Sequence, residues 1–202
     1  MEVFEVILDE ENPQSGINAI SLVNSPAIDI DFVALSKEKQ KHIKLADEDR
    51  QVLMGAALVP NKPIYRKVGE DEFYIIFSKE TIRRASELYF IRNRQQSATL
   101  EHEGSIDGLT TVESWIVEDA EVDKSKIYGF DVPLGTWMVS MKVDNNDIWT
   151  NLVKTGEVKG FSIEGFFMPE LREKLYKTEF FVDTKSDEFK KIEEVKRLLN
   201  MI

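Results

Sequence analysis

The chain has 202 residues, 42 % of them hydrophobic and 31 % charged, enough for one domain with a sizeable core and too few for two large ones. Its formal net charge of −11 opposes the dense negative charge of nucleic acid, so no nucleic-acid partner is expected. With no cysteine and only two histidines, His42 and His102, it cannot form disulfides, thiolate metal sites or cysteine nucleophiles, and neither a metal nor any other cofactor is expected.

The start, MEVFEVILDEENP, is acidic and lacks the basic-then-apolar order of a secretion signal. No apolar run approaches the roughly 20 residues that span a bilayer, so no membrane partner is expected. Residues 3–8 alternate and are rich in β-formers, which predicts a strand ended by Glu11-Asn12-Pro13. A second strand is expected over 17–23, stopped by Asn24-Ser25-Pro26, and a third over 29–35. Residues 36–50 are polar and charged with little periodicity, which suggests a mobile connection or exposed helix; His42 lies there and reads as a surface histidine. The apolar run 52–59 predicts a buried strand ended by Pro60-Asn61-Lys62-Pro63, and 72–77 another. Ser78 has the character of an N-cap, with Ile82, Ala85, Tyr89 and Phe90 marking one face of a helix to about Arg92. Arg83-Arg84, Arg92 and Arg94 read as solvated charge on or just after this helix.

Further strands are expected over 109–117 and 136–143, then a short helix over about 147–155 with Gly156 at its C-terminal cap. The strand 160–167 contains Ser162, and 180–182 is a candidate for one more. Near the end, Phe189, Ile192, Val195, Leu198 and Leu199 form an amphipathic stripe suited to packing on the body or on a partner helix. The sum is a β-rich α+β protein, best fitted by an antiparallel β-barrel or strongly curved sheet with flanking helices.

Side chains alternate across a strand, so Phe161 and Ile163 point one way and Ser162 and Glu164 the other. If the apolar pair faces the core, Ser162 lies on the outer face, with Gly160 and Gly165 leaving room for a peptide to approach. A hydroxyl needs a base to become a nucleophile, and His102 is the one convincing base in the chain. From pattern alone, a solvent-facing serine and a structural histidine are the favoured readings. A third group would orient the imidazole: Glu113, a carboxylate in an otherwise apolar strand, is one candidate, and Glu164, sharing a face with Ser162, is its rival. Glu101 would point away from His102 along an extended chain. No phosphate-binding loop, dinucleotide fingerprint or GxSxG elbow is present.

The segments ISLVNSPAI (20–28), LVPNKPIYR (58–66), FYIIFSKETI (73–82), LEHEG to SMKV (100–143) and GEVKGFSIEGFF (156–167) together resemble the XkdF-type phage serine proteases, relatives of prohead maturation proteases. The resemblance covers most of residues 15–170, in order. It implies a barrel of the herpesvirus-assemblin type, with the family's histidine at His102 and its serine at Ser162. The implied task is cleavage of scaffold and capsid-protein extensions, and of the protease itself, inside the immature head within the host cytoplasm. Scaffold and major capsid protein would be the partners, with self-association a further expectation. In related prohead proteases an acidic residue precedes an SLV..PA segment that follows the serine. Here the similar segment lies near the N-terminus and the corresponding position is Ala19, which suggests a permuted order with the acid relocated; Glu113 is taken as the relocated acid. Residues 1–185 would form the protease domain, and 186–202 an amphipathic C-terminal helix or the start of a scaffold-like tail. Two rival readings stay open: a non-catalytic head-assembly module with the same barrel, and a small-molecule hydrolase using the same pair.

Overall fold

The computed structural model describes residues 2–35, 50–119 and 121–171. His42, most of the 36–50 connection, the candidate strand at 180–182 and the stripe of 186–202 lie outside the described residues.

Strand β1 (Glu2–Ile7) buries Phe4 and Val6 by alternation, and β2 (Gly16–Val23) is buried along almost its whole length. The third expected strand shrinks to β3 (Val33–Ala34), because Asp29 takes a positive φ of 48° and turns the chain first. The apolar run forms β4 (Val52–Leu58), buried at every position. Next comes β5 (Ile64–Val68), which its charged composition concealed, and then β6 (Asp71–Ile76). Helix α1 (Lys79–Ile91) starts where expected, with the Ser78 hydroxyl accepting from the Thr81 N–H at 3.3 Å.

A short hairpin, β7 (Ala98–Leu100) and β8 (Glu103–Ser105), follows, and then β9 (Leu109–Ile116) and the small helix α2 (Lys124–Ile127). After β10 (Trp137–Val143) the expected helix divides into one α-turn, α3 (Asn146–Ile148), and a π-helical turn over Trp149–Val153. The chain then enters β11 (Gly160–Phe166) and β12 (Met168–Leu171). None of the described helices is long and apolar enough to cross a membrane.

The strands assemble into three four-stranded sheets, ordered β12-β1-β6-β5, β3-β4-β10-β9 and β11-β2-β7-β8. The β-rich α+β class is as expected. The wholly antiparallel ladder is not: β1 pairs parallel with β6, and β2 with β7. Parallel neighbours require crossovers, here the long excursions between β1 and β6 and between β2 and β7, the second of which carries α1. Hydrogen bonding among the described residues closes no barrel.

The core gathers Trp137, Tyr89, Phe4, Phe77 and Phe161, with Tyr89 edge-on to Trp137 at 5.6 Å between ring centroids. One contact of this core sets up the site. Phe161 packs on Gly55 of β4, where an added Cβ would stand 2.9 Å from the Phe32 side chain and 3.2 Å from the Phe161 ring. Only glycine allows that approach, and it seats Phe161 inward, fixing which face of β11 carries Ser162.

Candidate active site

Ser162 and Glu164 project from the face of β11 opposite to Phe161, two residues apart as the pleat requires. Across the antiparallel ladder Ser162 faces Ser21, and Glu164 faces Ala19; one strand further, Ser21 is in register with Thr99 of β7. A row of three hydroxyls, Ser162, Ser21 and Thr99, therefore crosses the sheet, and the small Ala19 leaves Glu164 free to lean over it. The Glu164 carboxylate accepts a hydrogen bond from the Thr99 hydroxyl.

His102 reaches this row from the turn between β7 and β8. Its Nε2 lies 3.0 Å from the Ser162 Oγ, and its Nδ1 lies 3.1 Å from Oε1 of Glu164. With Nδ1 protonated and donating to the carboxylate, Nε2 is left to accept from the serine. Ser162 is 8 % exposed, whereas the side chains of His102 and Glu164 are 45 % and 31 % exposed. The pair thus lies open to solvent, over a nucleophile candidate set into the sheet.

The turn that carries His102 is strained. Glu101 and His102 form a two-residue hairpin loop, both with positive φ, 50° and 62°. Such turns favour Asn-Gly, and each larger residue costs on the order of 1–3 kcal/mol in this conformation. Contacts to β2 and its end hold it. The Glu101 N–H donates to the Leu22 carbonyl and the His102 N–H to the Ser21 hydroxyl, both at 3.0 Å. The Glu101 carboxylate accepts from the Asn24 N–H at 2.6 Å. Glu101 does point away from His102, but as the clamp of a turn and not along an extended chain. Ser21 is fully buried, and its hydroxyl contacts the backbone of the residue that carries the imidazole. Ser21→Ala should lower kcat about tenfold at unchanged KM, with Ser21→Thr restoring it, because a slack turn misplaces the base by fractions of an ångström. Steady-state kinetics on the two variants checks this.

Glu113 is not beside His102. It lies on β9, where its carboxylate accepts from Lys124 at 2.6 Å and from the Ser140 hydroxyl at 2.5 Å. The assignment of Glu113 as third member is therefore corrected in geometry: the carboxylate that meets His102 is the rival, Glu164. Glu113 ties α2 to the β9–β10 pair instead. Burial pushes its carboxyl up, but the hydrogen bonds from Lys124 and Ser140 outweigh that and leave it below its usual value. A lowered carboxyl contributes stability above its unfolded value, about 4.3, and loses it as pH falls through the folded value. Glu113→Gln should thus melt about 2–3 °C lower at pH 7, the two curves converging below about pH 4. Cleavage should stay within about twofold of wild type, since the residue touches nothing at the site.

The space expected beside Gly160 and Gly165 is also taken by the chain itself. A Cβ at Gly160 would meet Pro26 at 2.5 Å, and one at Gly165 would meet the Gly16 carbonyl at 2.3 Å. These glycines serve close packing of the strand, and any approach to Ser162 comes from elsewhere. Sequence reasoning passed over Ser21 and Thr99. Ser21 carried a usable signal, a hydroxyl inside an apolar strand. Among the described residues no cluster of three or more His, Asp or Glu could hold a metal ion.

A hydroxyl, an imidazole and a carboxylate joined in that order on a β-rich domain is the arrangement that serine hydrolases use. The chain belongs to the family described as "Putative phage serine protease XkdF", whose model matches residues 39–169. Comparison with curated proteins and with solved structures gave no match.

Proposed function

We propose that the protein is a prohead maturation endopeptidase in which Ser162 is the nucleophile, His102 the general base and Glu164 the orienting carboxylate. The observation that carries this reading is the continuous contact from Ser162 Oγ through His102 to Glu164. Ser162 Oγ attacks the peptide carbonyl carbon while its proton passes to His102 Nε2. Glu164 balances the imidazolium through Nδ1. The imidazolium then gives its proton to the leaving amine, the C–N bond breaks, and an acyl-serine remains. Water repeats the cycle, losing its proton to Nε2, and releases the acid and free Ser162.

A peptide substrate is favoured over a small molecule by the surroundings. The recess that Ser162 lines has a cavity volume of only about 10 Å³, far below the roughly 300–1,000 Å³ common for small-molecule sites. Scaffold and capsid-protein extensions are the proposed substrates. Confinement inside a shell would raise their effective concentration, so that a shallow site suffices. The test is co-expression with the phage's own scaffold and capsid proteins, read as intact masses before and after head assembly. Discrete new fragments are the expected result. Uncut proteins in assembled heads would favour the non-catalytic head-assembly reading.

A further inference from the structure

His102 and Ser162 are 60 residues apart in the chain and reach their 3.0 Å contact from different elements, the β7–β8 turn and the start of β11. The end of β2 holds both. On the histidine side, the Leu22 carbonyl accepts from the Glu101 N–H at 3.0 Å, and the Asn24 N–H donates to the Glu101 carboxylate at 2.6 Å. On the serine side, the Val23 carbonyl accepts from the Lys159 N–H at 2.8 Å. The Asn24 side chain adds two more links there. Its Nδ2 donates to the Glu157 carbonyl at 2.8 Å, and its Oδ1 accepts from Lys159 Nζ at 3.4 Å. Pro26, two residues on, lies so close to Gly160 that a Cβ there would stand 2.5 Å from its ring.

Asn24 is therefore one residue whose main chain grips the histidine turn and whose side chain grips the approach to the serine strand. Both grips lie outside the regular ladder, since Asn24 follows β2 and Glu157 and Lys159 precede β11. An amide suits the place because it offers a donor and an acceptor together. The turn needs such a hold, because two successive residues at positive φ persist only where their surroundings over-determine them. Asn24, Glu101, Glu157 and Lys159 are all exposed, so water competes and these bonds add little to stability. Their effect falls on geometry, where a small displacement between base and nucleophile costs rate.

We infer that Asn24 is a positioning residue that couples the two halves of the site and sets the His102–Ser162 distance, though it hydrogen-bonds to neither side chain. The inference rests on reading Ser162 as the nucleophile and His102 as its base. The test is the labelling of Ser162 by an alkyl fluorophosphonate, in which the Oγ–P bond forms, fluoride leaves and the serine proton passes to His102. Intact mass follows the reaction, and its dependence on reagent concentration separates affinity from maximal rate. Asn24→Ala cuts the serine side of the bridge and Glu101→Ala the histidine side. Each should lower the maximal rate about 5–10-fold at unchanged affinity, with melting within about 2 °C of wild type because both residues are exposed. The double variant should be little slower than the worse single one, since cutting either side already uncouples the ends. Glu101→Gln still accepts from the Asn24 N–H and should stay within about twofold of wild type, whereas Asn24→Asp lacks the amide donor and should be as slow as Asn24→Ala. A wild-type rate in Asn24→Ala, or losses that multiply in the double variant, would overturn the coupling and leave Ser162 as the nucleophile. So would a Glu101→Gln variant as slow as Glu101→Ala, which would show Glu101 acting on the imidazole by charge. A wild-type Ser162 that the reagent never labels would overturn the nucleophile reading, and the coupling with it.

Discussion

Ser162→Ala should lower peptide cleavage by about 10⁴–10⁶-fold, the range seen when the nucleophile of a serine hydrolase is removed. The fold should survive, because the Ser162 hydroxyl is bonded to His102 Nε2 and that ring is half exposed, so water replaces the lost partner. The melting temperature is then expected within about 2 °C of wild type. His102→Ala should cost nearly as much, and the double variant hardly more, since groups that act as one unit are not additive. The measurement is the rate of fragment formation by mass spectrometry. Cleavage by Ser162→Ala within tenfold of wild type would mean that another group is the nucleophile.

The second large effect concerns Glu164. Glu164→Gln keeps the shape but removes the charge that balances the imidazolium, and the amide no longer enforces one tautomer of His102. Buried acids in such sites can be worth about 10⁴, but Glu164 is 31 % exposed and water screens it, so a loss of about 10²–10³ in kcat with little change in KM is expected. Thr99→Val, which leaves the carboxylate without its hydroxyl donor, should cost less, about three- to tenfold. The register suggests a sharper version. Ala19 stands directly opposite Glu164 on β2, and its residue type matters because it fills the position where the resemblance to prohead proteases expects an acid. In a Glu164→Ala background, Ala19→Glu should recover about tenfold of the lost rate, since cross-strand partners have Cβ atoms about 5 Å apart. No recovery, together with a Glu164→Gln variant as fast as wild type, would remove the carboxylate from the mechanism.

Long apolar or alternating segments were legible in the sequence. The strands at 52–58 and 137–143, and the Ser78-capped helix, appear within a residue or two of their expected limits. Alternation also placed Ser162 and Glu164 together on one face. What it could not convey was pairing. Whether Glu113 or Glu164 meets His102 depends on which strands are neighbours, and the parallel β2·β7 contact that carries His102 to β11 joins residues nearly 80 apart. The β7–β8 hairpin was hidden for a local reason: its turn uses Glu-His where Asn-Gly would have announced it. Strand β5 was hidden by its charges, among them the inward Arg66.

The ladder between the two ends of the described chain has a consequence for connectivity. The β12–β11 segment runs antiparallel to β1–β2, with Leu171 opposite Phe4 and Gly160 opposite Val23. Joining Leu171 to Glu2 by a short loop would make one long hairpin and leave the strand pairing among the described residues in place. If the chain were then opened between β3 and β4, it would read histidine, serine, SLV segment, the order that the resemblance to prohead proteases implies. The described ladder would then tolerate either cut, since the histidine, the serine and the strand that positions them keep their neighbours wherever the chain is opened.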